Sequence, residues 1–280
     1  MIEVGPNSYG KSAIRLVKVN RGETPHHVRD LTIAIALEGD FGASYSEGDN
    51  RAVIATDTMK NTCYALAGEH LTGAIEYFGI VLGRHFLGAE IEVERVRVSI
   101  DEHRWHPIGA APDAFTRDES ETRTARVVAG RGGTTIRSGI DCLSVMKTSR
   151  SEFKGFPRDR FTTLNETDDR IMATKVTAAW AYEADSDVDF DASHAAVRGT
   201  FLETMADHHS VSVQASIWVV GKAILERHLE VAEVSMSLPN LHHWTVDLSP
   251  FGIENDREVY ISTTEPHGLI EATIARSEIQ

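Results

Sequence analysis

Four stretches of the 280-residue chain hold side chains capable of chemistry. Gly5-Pro6-Asn7-Ser8-Tyr9-Gly10-Lys11-Ser12 matches G-x-x-x-x-G-K-[ST] literally. A phosphate loop needs a buried strand before it and a helix opening at the lysine. Only four residues precede Gly5 and a strand-like pattern follows Ser12, so Lys11 needs another role. The second stretch is Ala55-Thr56-Asp57-Thr58-Met59-Lys60-Asn61-Thr62, where Thr56 or Asp57 either caps a helix or serves a site. The third, Ser151-Glu152-Phe153-Lys154-Gly155-Phe156-Pro157-Arg158-Asp159, mixes aromatic rings with both signs of charge. The fourth, Ser237-Leu238-Pro239-Asn240-Leu241-His242-His243, is a polar cluster that reads by itself as a loop with an ordinary turn at Pro239-Asn240. Thirteen histidines include the pairs His26-His27, His208-His209 and His242-His243. Without H-E-x-x-H or another metal-ligand spacing, most read as surface residues. Gly130-Arg131-Gly132-Gly133 lacks the third glycine of a dinucleotide fingerprint and reads as a turn.

The elements that must hold these groups follow from periodicity. Residues 12–19 and 30–38 alternate like strands. A short helix over 58–67 precedes a longer one, in which Leu71, Ile75, Phe78, Leu82 and Phe86 share a face. Ile91, Val93, Val96, Val98 and Ile100 predict a strand with one solvated face, and 122–128 the next. The first half therefore reads β-β-α-α-β-β, and the second repeats the order: strands at 140–148 and 171–182, then a helix from Phe190 behind an Asp189 cap. Residues 211–224 fit a strand or a helix by periodicity; length favours a helix from about Ser212. Strands near 233–237, 243–247 and 259–262 complete the unit.

Composition narrows the class. With 41% apolar and 25% charged residues, the chain is that of a folded globular protein. Its 28 basic residues against 42 acidic ones give a net charge of −14, which repels phosphate backbones and argues against nucleic acid as partner. Cys63 and Cys142 form no CxxC pair, so neither a disulfide framework nor a zinc ribbon is expected. No apolar run approaches a bilayer span, no leader pattern opens the chain, and its last residues are not Ser-Lys-Leu. The expected location is cytoplasmic, with no membrane partner.

Taken in order, these stretches resemble the urate oxidase family nearly end to end. The resemblance is carried by Tyr9-Gly10-Lys11, Ala55-Thr56-Asp57 with Lys60-Asn61-Thr62, Ser151-Glu152-Phe153-Lys154-Gly155-Phe156, Arg158-Asp159, the run from Thr162 to Ile171, Val213-Gln214 and Leu238-Pro239-Asn240-Leu241-His242. It implies an α+β fold of two tandem tunnelling-fold (T-fold) domains, 1–136 and 137–280, each an antiparallel sheet with two helices. It also implies a homotetramer with active sites where subunits meet, and oxidation of urate by O2 without cofactor or metal. By position, Arg170 and Gln214 would clamp urate and Phe153 would stack on it. Main-chain groups of Thr56, Asp57, Leu164 and Val213 would line the pocket. Lys11, Thr56 and His242 would form the proton relay, and Asn240, with Thr56, would hold oxygen or peroxide. The residue chemistry suits these roles: a guanidinium fork offers paired donors to a carbonyl-rich anion, and a carboxamide adds a donor and an acceptor.

The resemblance is incomplete at two places. The 109–115 loop, Gly109-Ala110-Ala111-Pro112-Asp113-Ala114-Phe115, lacks the histidine of many bacterial relatives, and Leu241 stands where lysine is common. Two other readings compete: a purine-binding protein without turnover, and a T-fold enzyme acting on pterins or GTP. The intact Lys11, Thr56, Asn240 and His242 weigh against the first. The Arg170–Gln214 pair and the lack of a His/Cys metal set weigh against the second.

Overall fold

The computed structural model describes residues 2–22, 24–89, 93–183 and 186–277. Its contacts divide the chain into two units, Met1–Ile140 with Ala181–His194, and Asp141–Trp180 with Ala195–Gln280. Each is an antiparallel sheet backed by helices, the α+β arrangement expected.

In the first unit β1 (Ser8–Asn20), β2 (His27–Gly39), β3 (Val93–His103) and β6 (Thr122–Gly130) lie side by side, antiparallel throughout. Alternation along β2 buries Leu31, Ile33, Ile35 and Leu37 on one face. Against that face pack α2 (Thr56–His70), through Met59, Cys63 and Ala67, and α3 (Ile75–Leu87), through Ile75, Phe78, Leu82 and Phe86. The four α3 residues are among the five expected on one helical face. Leu71 is buried too, but as the residue that ends α2, with a turn before α3 begins. The predicted first position of β3, Ile91, lies outside the described residues. Three short elements had no sequence signal: α1 (Gly42–Ser46) and the ribbon of β4 (Trp105–Pro107) with β5 (Phe115–Arg117), which encloses the 109–115 loop.

A charged group sits inside this unit. Glu76, in the first turn of α3, is fully buried, pairs with Arg123 at 2.8 Å and accepts a hydrogen bond from Ser138 Oγ. Burial pushes its carboxyl up, while Arg123 and Ser138 oppose that shift. Asp189 accepts from the backbone N–H of Ala192, the cap expected for the helix that opens at Phe190.

β7 (Gly133–Lys147) runs from the first unit into the second. The second unit continues in the order β7, β8 (Met172–Tyr182), β9 (Val231–Thr245), β10 (Tyr260–Ala275). Its helices are α4 (Phe190–Asp207) and α5 (Val213–Arg227), whose Val213, Ile217, Val220 and Ile224 form a buried stripe. That stripe decides the ambiguous segment for helix, and Ser212 caps it by accepting from Ala215 N–H at 3.1 Å. α5 approaches β10 so closely that a Cβ on Gly221 would lie 2.5 Å from Ile274. Two strands expected at 233–237 and 243–247 are one long β9, paired with β10 from Glu233 to Thr245.

The internal repeat is written locally as well as architecturally. Lys18 Nζ donates to the carbonyls of Ala67, Gly68 and Leu71 at the end of α2, at 2.8, 3.0 and 3.1 Å. Lys147 Nζ does the same for Met205, Ala206 and His208 at the end of α4, at 2.8, 3.1 and 2.9 Å. Five residues before each lysine the backbone turns left-handed, at Ala13 (φ 55°) and Cys142 (φ 66°). Each ammonium satisfies carbonyls that a helix end leaves unpaired.

Candidate active site

The first unit contributes Lys11, Thr56 and Asp57. Lys11 pairs with Ile35 in the β1–β2 ladder, and the register breaks between Lys11 and Ile14, with left-handed Ala13 in the bulge. This strand geometry confirms that Lys11 does not belong to a phosphate loop. A bulge bends its strand and re-aims the side chains beside it. Gly10 leaves no room for a side chain, since a Cβ there would lie 1.8 Å from Ile35 O. Tyr9 OH accepts from Ile54 N–H at 2.8 Å, tying this strand to the residues that lead into α2. Thr56 opens α2 behind Ala55, which supplies no side-chain cap, so neither Thr56 nor Asp57 is the N-cap. Asp57 binds Lys60, and Asn61 donates to it at 2.9 Å. Lys60 above all, with a smaller pull from Lys11, holds the Asp57 carboxyl below its ordinary range.

The second unit contributes the remaining residues. Three extended pieces lie together there: Glu152 N–H donates to Ser210 O at 2.8 Å, Arg170 N–H to Ser151 O at 2.7 Å, and Phe153 and Thr167 exchange backbone bonds at 3.0 and 3.1 Å. This brings the Arg170 guanidinium over the Phe153 ring, 5.3 Å from its centroid, and Phe153 stacks on Phe156 at 5.0 Å. Arg170 Nε is buried without a hydrogen-bond partner. Burial lowers the pKa of this guanidinium, which stays charged nonetheless. Val213 and Gln214 open α5, Val213 buried and Gln214 exposed. Leu164 is exposed in the irregular segment before Thr167.

Asn240 and His242 lie on β9, opposite Gly268 and Thr263 of β10; between those partners β10 shifts register. His242 stacks on Trp244 at 5.3 Å. Burial first, then the positive charges of Arg170, His267 and His243, push the His242 imidazole below its usual pKa. It is therefore neutral near pH 7 and ready to take a proton. The structure thus groups Phe153 with Arg170, and places His242 within reach of Arg170's charge. Phe156, Trp244 and His267 are neighbours that spacing did not single out; only the aromatic–basic mixture of 151–159 hinted at Phe156. Among the described residues no three His, Cys, Asp or Glu side chains gather as metal ligands.

The fold is a tandem tunnelling fold, and an arginine over an aromatic ring suits a flat, oxygen-rich heterocycle. The chain belongs to the uricase family: the Uricase model matches residues 7–128 and 136–271. It is 45% identical to the uricase of Arthrobacter globiformis over 98% of this chain and 90% of that one. With the uricase of Dictyostelium discoideum it shares 38% identity, covering 97% and 96%. The crystal structure of the Arthrobacter globiformis uricase superposes with a TM-score of 0.95 at 44% identity, covering 100% of this chain and 97% of that one. A uricase from Bacillus fastidious gives 0.84 at 25% identity, covering 96% and 93%. Members of the family are urate oxidases, and the chain is accordingly an oxidoreductase.

Proposed function

We propose that this urate oxidase converts urate, O2 and water to 5-hydroxyisourate and hydrogen peroxide without a cofactor, and that the residues named above divide the work. The observation that carries the assignment is Arg170: a half-buried guanidinium with a buried, unpartnered Nε, placed over the Phe153 ring and beside a neutral imidazole. Arg170 and Gln214 take the ring edge of the urate anion and Phe153 takes its face, with backbone groups of Thr56, Asp57, Leu164 and Val213 lining the pocket. Lys11 and Thr56 remove a proton, and His242 passes protons to and from oxygen held by Asn240 and Thr56. One electron moves from urate to O2, and the radicals recombine as a hydroperoxide at C5. Loss of hydrogen peroxide and addition of water at C5 complete the balance.

Lys11, Thr56 and Asp57 come from the first tandem domain, 1–136, and the other site residues from the second, 137–280. We place the two sets together at contacts between subunits of a homotetramer, so that one chain's relay meets another chain's clamp. The reaction is assigned to the cytoplasm; no described helix is long and apolar enough to cross a membrane. The test uses chelator-treated protein in air, following urate absorbance, oxygen uptake and peroxide together. Equal changes in all three are expected. Urate binding without turnover would instead make the chain a purine-binding protein, and turnover that stops with the chelator and returns with metal would refute the cofactor-free reading.

A further inference from the structure

Behind the clamp, two buried serines and a half-buried histidine form a chain of polar side chains that the reaction does not use. His208 Nδ1 lies 2.8 Å from Thr204 O, so this nitrogen carries the proton and Nε2 is an acceptor in the neutral ring. Ser216 Oγ lies 2.9 Å from Nε2 and donates to it, and Ser210 Oγ, 2.8 Å from Ser216 Oγ, donates in turn to Ser216. Ser210 and Ser216 are fully buried. Burial first, with the charges of Lys147, Arg150 and His209, keeps His208 below its ordinary pKa, against an opposing hydrogen bond to Thr204 O.

Ser210, at one end of this chain, and Ser216, in its middle, lie in segments that adjoin residues assigned to the clamp. On one side, Ser210 N–H donates to Arg150 O at 2.9 Å and Ser210 O accepts from Glu152 at 2.8 Å, while Ser151 O in the same strand receives Arg170 N–H. On the other, Ser216 lies in the first turn of α5, two residues past Gln214, and its backbone N–H donates to Ser212 O at 3.0 Å. We propose that Ser210, Ser216 and His208 act as positioning residues that fix the spacing between the Arg170–Phe153 side and the Val213–Gln214 side of the clamp, and thereby set affinity for an anionic oxopurine. The proposal rests on the clamp reading above. A hydroxyl pair is suited to this, because its two short bonds lock two backbone segments that share no regular sheet or helix.

The test is a titration with urate under nitrogen, alongside steady-state kinetics in air, for Ser216→Ala, Ser210→Ala and His208→Gln. Ile217→Val, on the buried face of the same helix, is the control for lost packing. The expected result is an anaerobic urate Kd raised about tenfold in both serine variants, with kcat at saturating urate within about twofold. Ile217→Val should leave Kd unchanged at comparable loss of thermal stability. Ser216→Cys, keeping a weak donor, should recover part of the affinity. Serine variants that lose stability but bind urate as the parent does would overturn the proposal. Should Ser210→Ala fail to fold, the Ser216 pair decides. Arg170→Ala run in parallel separates the two readings: if it binds urate normally the clamp itself is wrong, and if it alone loses binding only the positioning role falls.

Discussion

Arg170 is where charge, burial and ring stacking coincide, so its loss should be felt in binding. Arg170→Ala is expected to abolish measurable anaerobic urate binding as well as turnover, because a buried anion loses its charge partner, a change worth about 3–5 kcal/mol. Unchanged affinity in that titration would remove Arg170 from the clamp. Lys11→Met should behave differently, binding urate nearly as well but turning over at least about a hundredfold more slowly. His242 supplies a pH test. Its pKa lies below the ordinary value of about 6.5, chiefly through burial. Since the folded state resists protonating this ring, its contribution to stability is intact above that value and declines as pH falls through the window beneath it. Activity that needs the neutral imidazole should fall on the same acid side. Arg170→Gln should move the His242 titration upward in histidine NMR without reaching 6.5, since the burial remains; no movement would mean that the two groups do not sense each other.

At the scale of elements, the fold makes the bulge in β1 the holder of Lys11. Gly10→Ala would force a Cβ onto Ile35 O, and misplacing the lysine by about 1 Å should lower kcat about a hundredfold. Urate affinity under nitrogen should remain close to the parent value; a variant with parental kcat would show that the strand absorbs the change without moving Lys11. Removing the α5 cap by Ser212→Ala should cost about 1 kcal/mol in denaturant unfolding. The order β-β-α-α-β-β was legible because alternation in β2 and the three-four-four spacing of α3 report burial directly. Turn chemistry misled at Pro239-Asn240: local residues there favour a turn, but long antiparallel pairing with β10 carries β9 straight through. Polar residues hid the first part of β7, from Gly133 to Arg137. Among the candidate site residues, Lys11, Arg170 and His242 were picked out by likeness to the urate oxidase family rather than by spacing or periodicity. The stacking of Arg170 on Phe153 and the chain from His208 to Ser210 were not legible, since they arise from contacts between segments distant in sequence.

The whole molecule is built from a duplicated plan whose halves have diverged in chemistry. Lysine-capped helices, and a left-handed residue five positions before each of those lysines, recur in the two halves of the sequence; two residues before Ala13 stands Lys11, whereas two residues before Cys142 stands the buried Ile140. The first unit also relies on the buried Glu76–Arg123 pair. Glu76→Ala leaves the buried Arg123 guanidinium with the largely exposed Asp191 as its ion-pair partner and should destabilise the chain by about 3 kcal/mol, read as a lower denaturant midpoint, with parental kcat in the molecules that stay folded. A parental midpoint would mean that the existing Asp191 pair is enough to hold Arg123. Under the proposed function, relay and clamp belong to one site assembled from different subunits. The most direct test of this mixes inactive Lys11→Met and Arg170→Ala proteins under conditions where subunit exchange is verified by mass. Hybrids that pair the intact relay of one chain with the intact clamp of another should recover a substantial fraction of parental urate oxidation; verified hybrids that stay inactive would show that relay and clamp do not meet across subunits.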